Sequence, residues 1–253
     1  MAPRLLVRMR RSGRPSPEAM TIGEHLAELR TRVLVAATAV VVAGIVAFVV
    51  YNSIFHFLQH PYCDVVGPRR CGFYITAPLQ GLSIRMEVAT YGGLFIASPV
   101  VLWELWRFIT PGLERNERRY IVPFVGVSVA LFLFGVVLAY VIFPHALQWL
   151  GSIGGPSLRQ IYSPTSYLSL MLALMALFGL AFEFPVVLVG LELVGLVRPQ
   201  TLSHGRRWAF VLIVAAAAIF TPTGDPFSML ALAVPLYVFY ELAIVAGRLL
   251  APR

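Results

Sequence analysis

Val33-Leu-Val-Ala-Ala-Thr-Ala-Val-Val-Val-Ala-Gly-Ile-Val-Ala-Phe-Val-Val-Tyr51 runs nineteen residues without a charge. As an α-helix this stretch spans about 28 Å, close to the hydrocarbon thickness of a bilayer, so it predicts one membrane crossing. Five further apolar runs follow. Together they predict spans at about 33–55, 82–104, 120–143, 167–191, 208–222 and 227–247. Over 253 residues the chain is 58% hydrophobic and only 13% charged, with a mean hydropathy of +0.80. That much apolar surface does not fit inside a water-soluble core. The predicted fold class is an all-α integral membrane protein with six transmembrane helices.

The uncharged core of the fifth run, from Trp208 to Phe220, is thirteen residues long. It reaches only about 20 Å, so the last hairpin is expected to be short and to thin the bilayer or borrow turns from its flanks. Pro99, Pro123, Pro185 and Pro235 fall within spans two, three, four and six. Each removes a backbone donor and is expected to bend its helix, which predicts a cupped bundle with a groove. No internal repeat divides the chain, so residues 21–253 are expected to form a single domain. Residues 1–20 are arginine-rich without the apolar stretch of a signal peptide, and predict a disordered cytoplasmic tail, with Met20 as an alternative start.

Orientation rests on arginine, since the chain has no lysine. With the N-terminus inside, sixteen of the twenty arginines fall on the cytoplasmic side, while Arg69, Arg70 and Arg159 lie in outside loops and Arg85 at a boundary. This asymmetry predicts both termini in the cytoplasm. The net charge of +8 is therefore topological and does not indicate nucleic-acid binding. Cys63 and Cys71 both fall in the first outside loop, with Gly67 and Pro68 between them. In an oxidising compartment they are a candidate disulfide, worth roughly 2 to 3 kcal/mol for so short a loop; two unpaired thiols are the alternative.

Several residues stand out as candidates for function. Glu183 lies in Phe178-Gly-Leu-Ala-Phe-Glu-Phe-Pro185 with no arginine near it in sequence. An isolated acid at mid-helix depth is disfavoured by roughly 2.5 to 3.5 kcal/mol, so it should face a partner helix or a wet pocket, or else be a protonated acid bonded to a helix carbonyl. Thr21-Ile-Gly-Glu-His-Leu-Ala-Glu-Leu-Arg-Thr-Arg32 opens with a capping box from Thr21 to Glu24 and predicts a short amphipathic helix at the inner interface. Within it, Glu28 and Arg32 are spaced for an ordinary surface ion pair.

Trp106-Arg-Phe-Ile-Thr-Pro-Gly-Leu-Glu-Arg-Asn-Glu-Arg-Arg119 places Glu114 and Glu117 on the same side as Glu28. Carboxylates so placed are suited to receive arginines from a ligand, and the alternative is a basic anchor with incidental acids. Asp225, in the turn Phe220-Thr-Pro-Thr-Gly-Asp-Pro-Phe-Ser228, is expected to cap the following helix. The five histidines are scattered, so neither a metal nor another cofactor is expected. Nucleotide-binding and peptidase signatures are absent, which argues against an enzyme.

Taken together, His25-Leu-Ala-Glu-Leu-Arg30, Trp106-Arg-Phe-Ile-Thr-Pro-Gly-Leu113 with Glu117-Arg-Arg119, Phe178-Gly-Leu-Ala-Phe-Glu-Phe-Pro185, and Phe220-Thr-Pro-Thr-Gly-Asp-Pro-Phe227 resemble the TatC family. The resemblance runs from about residue 20 to 247. It implies a six-helix core receptor of the twin-arginine protein translocase, which recognises twin-arginine signal peptides on folded cargo. TatB-like and TatA-like single-span partners, a multimeric complex and export driven by the proton gradient are implied with it. By the same resemblance Glu28 and Glu117 receive the signal peptide, with Arg30 and Phe108 in the motifs around them. Glu183 matches the family's intramembrane acid and Asp225 its outside-loop acid. Position 114 departs from the family, which commonly has an aromatic residue where this chain has Glu114. The alternative from a different class is a proton-coupled small-molecule secondary transporter using Glu183.

Overall fold

The structure is a computed structural model that describes residues 22–67, 71–109, 121–153, 155, 162–193, 195–221 and 223–250. Among these residues there are nine helices and no strand. They are α1 (Ile22–Val49), α2 (Tyr51–Val66), α3 (Gln80–Ile109), α4 (Ile121–Ile153), α5 (Pro164–Ala181), α6 (Phe184–Leu193), α7 (Pro199–His204), α8 (Arg206–Phe220) and α9 (Pro226–Leu250). His25–Val49, Gln80–Phe108, Val122–Ile153, Pro164–Glu192 and Pro226–Leu249 are each long and apolar enough to cross a membrane. The remaining crossing falls to α8, whose 15 residues reach about 22 Å, which makes the last hairpin short. The basic segment 1–20 and the capping residue Thr21 lie outside the described residues.

Side chains on the outside of the bundle are what a bilayer solvates. Val41, Val42, Ile45 and Val46 of α1 are all exposed, whereas Ala43 and Ala47 turn inward. That inward stripe lets α1 lie along α3 at very close range: a Cβ on Gly93 would fall 2.7 Å from Cα of Gly44. Small residues are the usual means of helix association in lipid, where apolar burial gives little advantage and backbone proximity supplies the packing. Between α4 and α5 the same device recurs, since a Cβ on Gly135 would stand 2.6 Å from the Phe178 carbonyl oxygen. Trp106, Phe143, Tyr167, Phe178 and Phe182 are fully buried and fill the centre.

At the end away from the N-terminus of α1, hydroxyl and amide groups tie the elements together. Tyr167 on α5 donates its hydroxyl to the Leu58 carbonyl of α2 at 2.8 Å. Gln80 at the start of α3 donates to Ser163 Oγ at 2.9 Å and Thr165 Oγ1 at 3.0 Å, at the start of α5. Cys63 and Cys71 are joined by a disulfide that fastens the end of α2 to the chain leading into α3.

Four sequence expectations change. The stretch 21–32 is not a separate interfacial helix: from Ile22 it continues without a break into the apolar run. No proline lies between Ile22 and Val49 to end the helix before the apolar run. The first span ends earlier than residue 55, because the chain turns at Val50 and α2 begins at Tyr51. Span four is one crossing, Pro164–Glu192, but within it the helix is interrupted, α5 and α6 being parted at Phe182 and Glu183. There the Glu183 amide donates three residues back, to Leu180 at 3.1 Å, and Pro185 has no N–H for the next carbonyl. Pro123 lies in the first turn of α4, where its missing donor does no harm, so the proline inside that helix is Pro144.

Candidate functional site

α3 carries a short segment, 104–108, that faces two different polar sites. On one side Glu104 reaches α1: Arg32 donates from Nη1 to Glu104 Oε2 at 2.9 Å and from Nη2 to Glu28 Oε1 at 3.1 Å. All three side chains are shielded, with 20% of Arg32, 22% of Glu28 and 11% of Glu104 exposed. Two carboxylates therefore share one guanidinium. Glu28 Oε2 is buried and finds no partner among the described residues. Next to this cluster Phe108 stacks on His25, ring centroids 4.4 Å apart, and joins the ends of α1 and α3. Arg30 is exposed on α1. Glu114 and Glu117 lie outside the described residues.

On its other side α3 sends Trp106 inward. The indole N–H donates to Ser128 Oγ of α4 at 2.9 Å, and the Ser128 hydroxyl donates in turn to Glu183 Oε2. Trp106 is fixed edge-on by Phe124, and Gly190 of α6 leaves room for its ring. The break between α5 and α6 is what turns Glu183 toward α4. Its competing reading, an acid bonded to a helix carbonyl, is not what the chain does, because the Ser128 hydroxyl is its partner. Glu183 is 5% exposed and its Oε1 finds no partner among the described residues. It lines an open groove of about 740 Å³ whose other walls include Ser98, Leu102, Phe132, Leu180 and Phe184, so a polar group is presented inside an apolar channel. An unpaired buried oxygen is costly, and a partner's donor arriving along the groove would relieve it.

Asp225 serves the far turn. It is fully buried, accepts from the Ser228 amide at 2.7 Å and from the Thr223 hydroxyl, and so caps α9. Nothing brings Asp225 to the Glu28 cluster or to the groove. Neither Glu104 nor Ser128 was singled out from the sequence. Glu104 served there only as the boundary of an apolar run, and Ser128 is the one polar residue between Val122 and Ala139. A third acid, Glu192 on α6, is buried against Gly247 of α9, where any Cβ would collide with its carboxylate; both of its oxygens lack partners among the described residues.

A lipid-facing helical bundle with acids held inside it, and no metal-binding group of His, Cys, Asp or Glu among the described residues, defines a multi-span membrane protein built around polar contact sites. Comparison with known proteins gives the class its identity. The family model described as Sec-independent protein translocase protein (TatC) matches residues 24–235. A Sec-independent protein translocase protein TatC of Frankia casuarinae is 39% identical over 251 residues, covering 95% of this chain and 69% of that one. Its counterpart in Xylanimonas cellulosilytica is 36% identical, covering 91% of this chain and 86% of its own. A crystal structure of the twin arginine translocase receptor TatC superposes with a TM-score of 0.73 at 33% identity, over 90% of this chain and all of that one. The chain belongs to the TatC family. It is a protein-translocase component and not an enzyme, and this replaces the alternative of a small-molecule transporter.

Proposed function

We propose that the chain is the receptor and core subunit of a twin-arginine translocase in a bacterial cytoplasmic membrane. Glu28 and Glu117 receive the two arginines of a signal peptide, with Arg30 and Phe108 in the motifs around them. The observation that carries this reading is Glu28 itself: its carboxylate keeps a buried oxygen at the mouth of the bundle that finds no partner among the described residues. A guanidinium satisfies two carboxylate oxygens at once, so an arriving arginine gains more there than a lysine does. The groove around Glu183 suits a polar residue on a TatB-like or TatA-like single-span helix, and folded cargo then moves under the proton gradient. No observation favours a second reading. A photo-reactive group at position 28 or 117 should crosslink a labelled twin-arginine signal peptide, and no crosslink at either position would remove the reading.

The same proposal sets the orientation, with both termini in the cytoplasm, supported by sixteen of twenty arginines on that side. Reporter fusions after residue 156 should report the outside and fusions after residue 195 the inside. The reverse pattern at either point would contradict it.

A further inference from the structure

We infer that Glu104 is a positioning residue of the receptor site, limiting Arg32 to a single contact with Glu28 so that the other oxygen of Glu28 stays open to a ligand arginine. The inference rests on the receptor reading above. Arg32 stands four residues after Glu28 on α1, the spacing at which a guanidinium closes on a carboxylate of its own helix. Left alone, this pair would occupy both oxygens of Glu28 and neutralise it. Glu104, 72 residues away on α3, intervenes. It takes Arg32 at 2.9 Å against 3.1 Å for Glu28, and it is the more deeply shielded of the two acids, 11% exposed against 22%. Arg32 is thereby anchored across the α1–α3 interface and leaves only one nitrogen on Glu28.

Two consequences follow from the charge count. Among the described residues, two carboxylates and one guanidinium leave a net charge of about −1 on the cluster, which attracts a second cation into it. Displacing Arg32 from Glu28 is also mild, because Arg32 keeps Glu104 and is never left as an unpaired buried charge. Glu104 does not touch the ligand; it sets how much of Glu28 the ligand can use.

Binding of a twin-arginine signal peptide to the full chain in membranes tests this. Glu104→Gln should weaken binding about tenfold, because Arg32 then closes on Glu28. Adding Arg32→Gln to Glu104→Gln should return binding to within about twofold of the parent, and Glu104→Asp should retain most of it. A role limited to holding α1 against α3 predicts the reverse, since the double variant loses both sides of that contact. Unchanged binding in Glu104→Gln, or a double variant no better than Glu104→Gln, would overturn the inference. The Glu28→Arg, Glu117→Arg variant run beside them separates the two claims. Full binding there removes the receptor reading itself, whereas loss of binding there with no rescue by Arg32→Gln removes only the role of Glu104.

Discussion

Glu28 and Glu183 are both acids on apolar helices, but their surroundings differ in kind. Glu28 lies at the end of the bundle among charges, sharing Arg32 with Glu104. Glu183 lies deep in a groove where, among the described residues, its donors are neutral: the Ser128 hydroxyl and, behind it, the Trp106 indole. A carboxylate in a charged cluster with surplus negative charge selects a cation that arrives through water. One held by neutral donors in an apolar groove selects a polar group that is already in the membrane. The proposed roles follow this contrast, with recognition at the first and contact with partner helices at the second.

The sharpest way to break this contrast is to exchange the lesions. Glu28→Arg should lower signal-peptide binding on the order of a hundredfold, by turning attraction into repulsion. Glu183→Ala should leave binding within about twofold and abolish export, with partner crosslinking to the groove lost. If Glu183→Ala instead removed peptide binding, the two sites would be one. Glu183→Gln keeps the hydrogen bond and removes ionisation, so normal export in that variant would exclude proton carriage by this residue.

A smaller effect sharpens the recognition side. Replacing both signal-peptide arginines by lysine should weaken binding roughly tenfold, since lysine keeps the charge and loses the planar fork. Equal binding would mean that the site reads charge alone. Smaller again is the effect at the far turn, which belongs to neither site. Asp225→Ala should lower stability by about 1 kcal/mol through loss of the α9 cap, while Asp225→Asn retains most of it. Thermal unfolding of the purified chain in detergent measures both, and peptide binding should not move in either variant.

The difference between the two sites also shows what a sequence can reveal. Glu183 was legible because a charge inside an apolar run is conspicuous, and Glu28 because its motif matches a family. Their partners were not legible. Ser128 precedes Glu183 by 55 residues and Glu104 follows Arg32 by 72, so only tertiary packing brings them together. The apolar runs located the crossings because burial in lipid is a local property of the chain. They did not locate the break at Phe182 and Glu183, because a proline bends some helices and ends others according to whether the preceding turn tightens. The joining of residues 22–32 to the first span was hidden for a related reason: an amphipathic stretch and an apolar one share the same helical period.

The most direct test of the receptor assignment is crosslinking of a labelled twin-arginine signal peptide to membranes carrying the Glu28→Arg, Glu117→Arg double variant. The account predicts that crosslinking disappears while the variant still inserts and still contacts its partner helices. Undiminished crosslinking would contradict it and move the binding site to another part of the chain.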